Sequence, residues 1–140
     1  MASYYAEIHL SSKSENDMID ITEDIQKIVT ESKLTEGIAC VFVPGSTGSL
    51  TTIEFEPGLQ KDFPEALDII APKDKPYAHH ETWHDDNGRS HVKASLVGPS
   101  ITIPFHEKKL IHGTWQQITF INFDTRPRNR QVIVQLIGEQ

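Results

Sequence analysis

IACVFVPGSTGSLTTIEF, residues 38–55, reads as two strands joined by a hydroxyl-rich loop. Ile38 to Val43 is a short unbroken apolar run, the signature of a buried strand. Pro44 and Gly45 stop it. Leu50 to Phe55 then alternates, with Thr51, Ile53 and Phe55 on one face and Thr52 and Glu54 on the other. Between them lie Ser46, Thr47, Gly48 and Ser49. Glycines at 45 and 48 let backbone N–H groups turn toward one point, and such a loop can cradle an anion. It is not a Walker A loop, because the Gly-Lys-Ser/Thr ending is missing and a strand follows in place of a helix. A plain tight turn accounts for the spacing equally well.

Working outward, residues 15–33 have the pattern of a cover helix. Ser14 would cap it, Glu15, Asp17 and Asp20 load its first turns, and Met18, Ile21, Ile25, Ile28 and Val29 recur at three- and four-residue steps. Residues 3–11 precede it as a strand. After the loop, Pro57-Gly58 opens a second helix near 58–70, with Leu59, Phe63, Leu67 and Ile70 on its apolar side. Pro64 would place its start nearer Asp62. The last third reads as sheet. Residues 100–105 form a strand placed at an edge by Pro104, residues 110–123 form one or two strands, and residues 131–137 form another. The whole is an α+β chain of one compact domain over residues 1–140, mostly antiparallel sheet covered by two main helices.

PYAHHETWHDDNGRSH, residues 76–91, separates the second helix from the sheet-forming end and holds His79, His80, His84 and His91 with Glu81, Asp85 and Asp86. Imidazoles among carboxylates make either a divalent-metal site or an acid/base site. His80-Glu81-Thr82-Trp83-His84 matches H-E-x-x-H, which works only on a helix. With Pro76 before it and Asp-Asp-Asn-Gly after it, a helix here runs to about two turns, too little for a metalloprotease. A solvated loop explains any single histidine; the group together marks a site. Ser90 is positioned to cap a brief helix over 91–97 closed by Gly98, which would keep the His91 imidazole neutral at its N-terminus. Arg126, Arg128 and Arg130 alternate before the last strand, on one side of an extended chain, as a phosphate or carboxylate ligand would need.

The formal charge of −7 and pI near 5.4 argue against nucleic-acid binding, which needs a basic surface. No apolar run approaches the roughly 20 residues of a spanning helix, so no membrane partner is expected. The single Cys40 cannot form an internal disulfide, and no secretory signal is visible; both suit a cytoplasmic protein.

Several of these stretches together resemble the YjbQ family: Ser-Thr-Gly-Ser-Leu-Thr at 46–51, Glu-Pro-Gly-Leu at 56–59, His80, Ser-His-Val-Lys-Ala-Ser-Leu-Val-Gly at 90–98, Gly-Thr-Trp-Gln at 113–116, Arg130 and Ile-Gly-Glu at 137–139. The resemblance runs over nearly the whole chain. It implies a compact α+β domain assembling as a homotrimer, with a histidine pocket that often holds a metal. It also implies an activity of secondary thiamine-phosphate synthase type, joining a thiazole phosphate to a pyrimidine pyrophosphate and releasing pyrophosphate. Carried over by position, His80, His91, Glu54, Trp115 and Gln116 are the catalytic candidates. Ser46, Thr47, Ser49, Arg128 and Arg130 are the candidates for phosphate. His80, His91 and His84 are the candidate metal ligands. The ligand would be a small phosphorylated molecule. The cofactor would be a divalent metal, with histidine ligation favouring zinc or another transition metal over magnesium. Many members carry a histidine just before the hydroxyl loop where this chain has Gly45, so a metal here would lean on another ligand such as His84 or His79. Two further readings stand beside the transferase: a metal-dependent hydrolase of a small phosphorylated compound, and a non-catalytic trimer that binds a metal or anion.

Overall fold

β7 (Gln117–Asn122) organises the interior, because it is buried on both faces. The computed structural model describes residues 1–140. Ile118 and Phe120 of β7 point into the larger apolar cluster, while Ile121 and the following Phe123 point into a smaller one on the opposite side. β7 lies between β2 (Asp17–Asp20) and β4 (Gly48–Ile53) in a three-stranded antiparallel sheet. A second antiparallel sheet of five strands has the order β1 (Ala2–Ser12), β8 (Arg128–Glu139), β3 (Glu36–Phe42), β5 (Ser100–His106), β6 (Lys109–Leu110).

The larger cluster fills the space between the two sheets. Val132, Val134 and Leu136 of β8, Ala39 and Val41 of β3, and Ile103 and Phe105 of β5 supply one wall. They sit at alternate positions, as the strand period of two demands. α1 (Thr22–Glu31) closes the space with Ile25, Ile28 and Val29. Truncating Ile118 to alanine would cost about 2–5 kcal/mol and Phe120 about 3–5 kcal/mol, the usual ranges for buried side chains of these types. The smaller cluster packs α2 (Pro57–Ile70), through Leu67, and α4 (Gly88–Val97), through Ala94, on the other face of the three-stranded sheet. Lys93 of α4 is buried as well, and its Nζ pairs with Asp68 of α2. The α+β architecture with antiparallel sheets is therefore as the residues predict, and the brief helix expected at 91–97 is the longer α4, preceded by a short α3 (Ala78–Trp83).

Three local expectations are corrected. Residues 15–33 are not one helix: β2 comes first and α1 starts only at Thr22. The apparent helical period joins residues of two clusters, since Met18 belongs with Ile121 while Ile21 and Ile25 belong with Phe120. Ile21, not Ser14, occupies the capping position, and the Asp20 carboxylate before it accepts from Thr22 N at 3.0 Å and from Thr22 Oγ1 at 2.7 Å. Second, α2 begins at Pro57 and runs through Pro64, because the Glu56 carboxylate caps it on the N–H groups of Gly58 and Leu59. Third, α4 begins at Gly88, so Ser90 is a buried first-turn residue and not its cap. Gly88 is needed there: a Cβ would lie 2.6 Å from the Tyr77 Cβ.

The two strands of residues 38–55 do not pair with each other. β3 belongs to the five-stranded sheet and β4 to the three-stranded one, so the hydroxyl loop carries the chain from one sheet to the other. The start of β8, the end of β7 and the α3–α4 connection reach the same corner.

Candidate functional site

That corner is a hollow of about 550 Å³ whose lining is almost entirely polar. The hydroxyl loop contributes Gly45, Ser46 and Thr47, β8 contributes Arg128, Asn129 and Arg130, and α4 contributes His91. α3 and the turn after it add His79, Trp83, Asp85 and Asn87.

Its floor is a buried polar network centred on Asp124. Arg128 Nε donates to Asp124 Oδ2 at 2.8 Å, Thr47 Oγ1 donates to the same oxygen at 3.1 Å, and the Thr125 N–H donates to Oδ1 at 2.8 Å. Burial alone would raise the Asp124 pKa, but the Arg128 and Thr47 hydrogen bonds and the Arg128 charge together hold it below the ordinary carboxylate value. The floor is thus anionic at Asp124 and matched by Arg128.

Arg130 is placed differently. Its Nη2 donates to Thr47 Oγ1 at 2.8 Å and to Asn122 Oδ1 at 2.6 Å, both neutral acceptors. No carboxylate lies in ion-pair range, and its buried Nε has no partner. Burial lowers the Arg130 pKa, with Asp124 opposing and Arg128 assisting, yet a guanidinium remains charged throughout the neutral range. Its Nη1 lies against the loop, 2.9 Å from where a Cβ on residue 45 would stand. The N–H groups of Ser46 and Thr47 meanwhile make no hydrogen bond within the protein. The hydroxyl loop and Arg130 therefore offer unused donors to one place.

Opposite stand two imidazoles. The His79 and His91 ring centroids are 4.5 Å apart at a 50° tilt. His79 Nε2 lies 3.2 Å from Asp85 Oδ1. With its amide nitrogen turned toward the carboxylate, Asn87 donates to Asp85 at 2.8 and 3.1 Å and so fixes that carboxylate against His79 Nε2. Burial lowers the His91 pKa and the nearby His79 lowers it further, against the pull of Asp85 and Asp124. His91 is neutral near pH 7 and able to take a proton.

Of the expected site residues, the structure brings together His91, Ser46, Thr47, Arg128 and Arg130. It does not bring His80 to them. His79 and His80 are consecutive on α3, about 100° apart around the helix axis. His80 therefore lines a separate hollow with Lys75, Tyr77 and Asp86, its Nδ1 accepting from the Asp86 N–H at 3.1 Å. His84, in left-handed backbone at the end of α3, packs edge-on against His80 with centroids 5.7 Å apart. Ser49 is fully buried and donates to the Ala94 carbonyl, tying β4 to α4. Glu54 lies at the far end of β4, and Trp115 and Gln116 lie in the turn before β7. Gln116 lines a different hollow with Thr52, Ile111 and His112.

His80, His91 and His84 therefore do not form a metal centre, since the first and last lie outside the hollow. Nowhere do three His, Cys, Asp or Glu side chains converge as a ligand set. Within the hollow, Asp85 is engaged by Asn87 and Asp124 by Arg128, leaving two imidazoles. The residues that this one chain brings to the hollow do not fit a divalent metal.

Trp83, Asn87, Asp124 and Asn129 also line the hollow, and the sequence did not single them out. Asp124 carried one signal: a lone acid directly after the apolar run of β7, four residues before an arginine.

The family model described as UPF0047 protein YjbQ-like matches residues 6–139. A UPF0047 protein of Archaeoglobus fulgidus is 37% identical over 131 residues, covering 94% of this chain and 99% of its own. YugU, a UPF0047 protein of Bacillus subtilis, is 30% identical over 132 residues, covering 94% and 97%. Among solved structures, a YbjQ-like protein of unknown function from Sulfolobus solfataricus P2 superposes with a TM-score of 0.91 at 29% identity over 99% of both chains. A conserved protein of the YjbQ/UPF0047 family from Clostridium acetobutylicum gives 0.82 at 40% identity, over 93% of this chain and 99% of its own. No helix is long and apolar enough to cross a membrane.

Proposed function

The chain belongs to the YjbQ-like UPF0047 family, and on that premise we propose that its hollow binds the phosphate of a small phosphorylated molecule and moves a proton on it. One observation carries this reading: Arg130, a charged group without a carboxylate partner, faces the same space as the His79–His91 pair. A phosphate would accept from Arg130 Nη1 and from the idle N–H groups of Ser46 and Thr47, with the Ser46 hydroxyl beside them. Arg128 completes the charge while Asp124 fixes its direction. His91, neutral and close to the anion, is the general base; His79, held by Asp85 and Asn87, is the second group of the pair, able to return the proton.

The particular reaction that the family resemblance implies is transfer of a pyrimidinylmethyl group: the thiazole nitrogen of the thiazole phosphate bonds the methylene carbon as that carbon's C–O bond to pyrophosphate breaks, and pyrophosphate leaves. Arg128 and Arg130 would stabilise the charge gathering on the departing pyrophosphate. The test is to supply both precursors and measure thiamine phosphate, comparing the natural protein with His91→Asn, Arg130→Gln and His80→Gln. The reading expects product that the first two substitutions abolish and the third leaves intact. Phosphate release from a simple ester, with the same dependence, would move the assignment to a hydrolase. Arg130-dependent binding with no turnover of either substrate would leave a binding module.

Self-association accompanies this proposal. Ile38 is 44% exposed and Phe42 42%, on the outer face of the five-stranded sheet, and Ile137 pairs beside Ile38 in register. A homotrimer would cover this apolar face with copies of the same chain.

A further inference from the structure

The hollow is larger than its phosphate handle requires. About 550 Å³ is the size of a site for a whole small molecule, and Arg130 with the hydroxyl loop occupies only one side of it. What remains is bounded by a single apolar side chain, Trp83. This indole closes α3 and is 69% exposed, and no aromatic ring stacks on it. Its position is set from both sides: His84 turns the chain through left-handed backbone immediately after it, and Asp85 and Asn87 then anchor that turn on His79. The other exposed tryptophan, Trp115, has no such company. The hollow near it is lined by Thr52, Ile101, Ile111, His112 and Gln116, without an arginine or lysine.

We propose that Trp83 is the platform on which a planar ring of the ligand stacks, so that this site prefers aryl and heteroaryl phosphates to phosphates of flexible aliphatic alcohols. The inference rests on the phosphate reading of the hollow and adds the class of group attached to that phosphate. A flat π face stacks on indole with little regard to its substituents, so the contact selects for a ring and not for one particular ring. The phosphate, held by Arg130, fixes one end of the ligand, and the indole receives the other.

The test uses the full chain carrying Trp115→Phe, which leaves Trp83 as the sole indole. Phenyl phosphate, glycerol phosphate and inorganic phosphate are titrated, with tryptophan emission and heat of binding followed together. The proposal expects phenyl phosphate to quench Trp83 emission and to bind about tenfold more tightly than glycerol phosphate. It also expects Trp83→Leu in the same background to lose that tenfold preference while binding glycerol phosphate as before. Equal, Arg130-dependent binding of all three phosphates without quenching would overturn the role of Trp83 and leave the phosphate site standing. Failure of all three to bind would overturn both.

Discussion

The imidazoles of His79 and His91 face each other with ring centroids 4.5 Å apart, although eleven residues separate them along the chain. Helix α3 presents the first and α4 the second, and the Asp85–Asn87 turn between the helices holds the first in place. A burial-lowered pKa at His91 and a carboxylate beside His79 give the two rings different environments, as acid–base partners require.

A pH profile follows from this. His91 titrates below its ordinary 6.5 in the folded chain, with burial as the main cause and His79 as the second. Activity that needs its free base should therefore persist on the acid side, with the limb falling below the pH at which free imidazole protonates. The stability consequence has the same sign. The unfolded chain takes up this proton at higher pH than the folded one, so acidification through the ordinary imidazole range favours unfolding, and the loss levels off below the folded pKa. His91→Asn should remove that portion of the pH dependence, measured by urea unfolding across the acid range. An unchanged profile would contradict the assignment.

Asp124→Asn should weaken both fold and site. The substitution keeps the shape but removes the charge that Arg128, Thr47 and the Thr125 N–H all address. A loss of about 1.5–3 kcal/mol is expected, the usual range for hydrogen bonds to a charged group. Urea denaturation measures it. A change below about 0.5 kcal/mol, the ordinary scatter of surface substitutions, would show that the network is incidental.

Chelation should leave phosphate binding unaltered. Arginine and backbone N–H groups hold the anion in this account, and no set of three side chains is arranged to ligate zinc, another transition metal or magnesium. Elemental analysis before and after a chelator, paired with calorimetry, checks this. A stoichiometric metal whose removal abolishes phosphate binding would refute it.

Phe42→Asp should keep the proposed trimer from forming. Phe42 stands on the outer sheet face with Ile133 opposite in register, away from both apolar clusters, so the substitution spares the interior. Sedimentation velocity reads the outcome. An unchanged particle mass would place any association elsewhere.

Much of the fold was legible because strands with one buried face announce themselves by residue type and alternation, as in residues 131–137, where Val132, Val134 and Leu136 are buried, and α2 by its apolar steps. Residues 15–33 misled because Met18 and Ile25 share a helical spacing while packing on opposite sides of a sheet. Such a spacing records burial and not which core receives the side chain. The site was half legible for a related reason. The hydroxyl loop, His91 and the alternating arginines stood out by residue type. His79 and His80 are the same residue side by side, and only the rotation of α3 decides which of them faces Arg130 and the loop. Asp124 and Trp83 belong to the site through tertiary approach, which spacing along a chain does not encode.

The account stands most directly on which histidines meet the anion. Inorganic phosphate titrated into the protein, with the imidazole resonances followed by NMR and assigned by single substitution, answers that question. The account predicts that the His79 and His91 signals move together and saturate, that Arg130→Gln abolishes the movement, and that His80 and His84 stay fixed. Saturable shifts at His80 and His84 with His79 and His91 unmoved would contradict it.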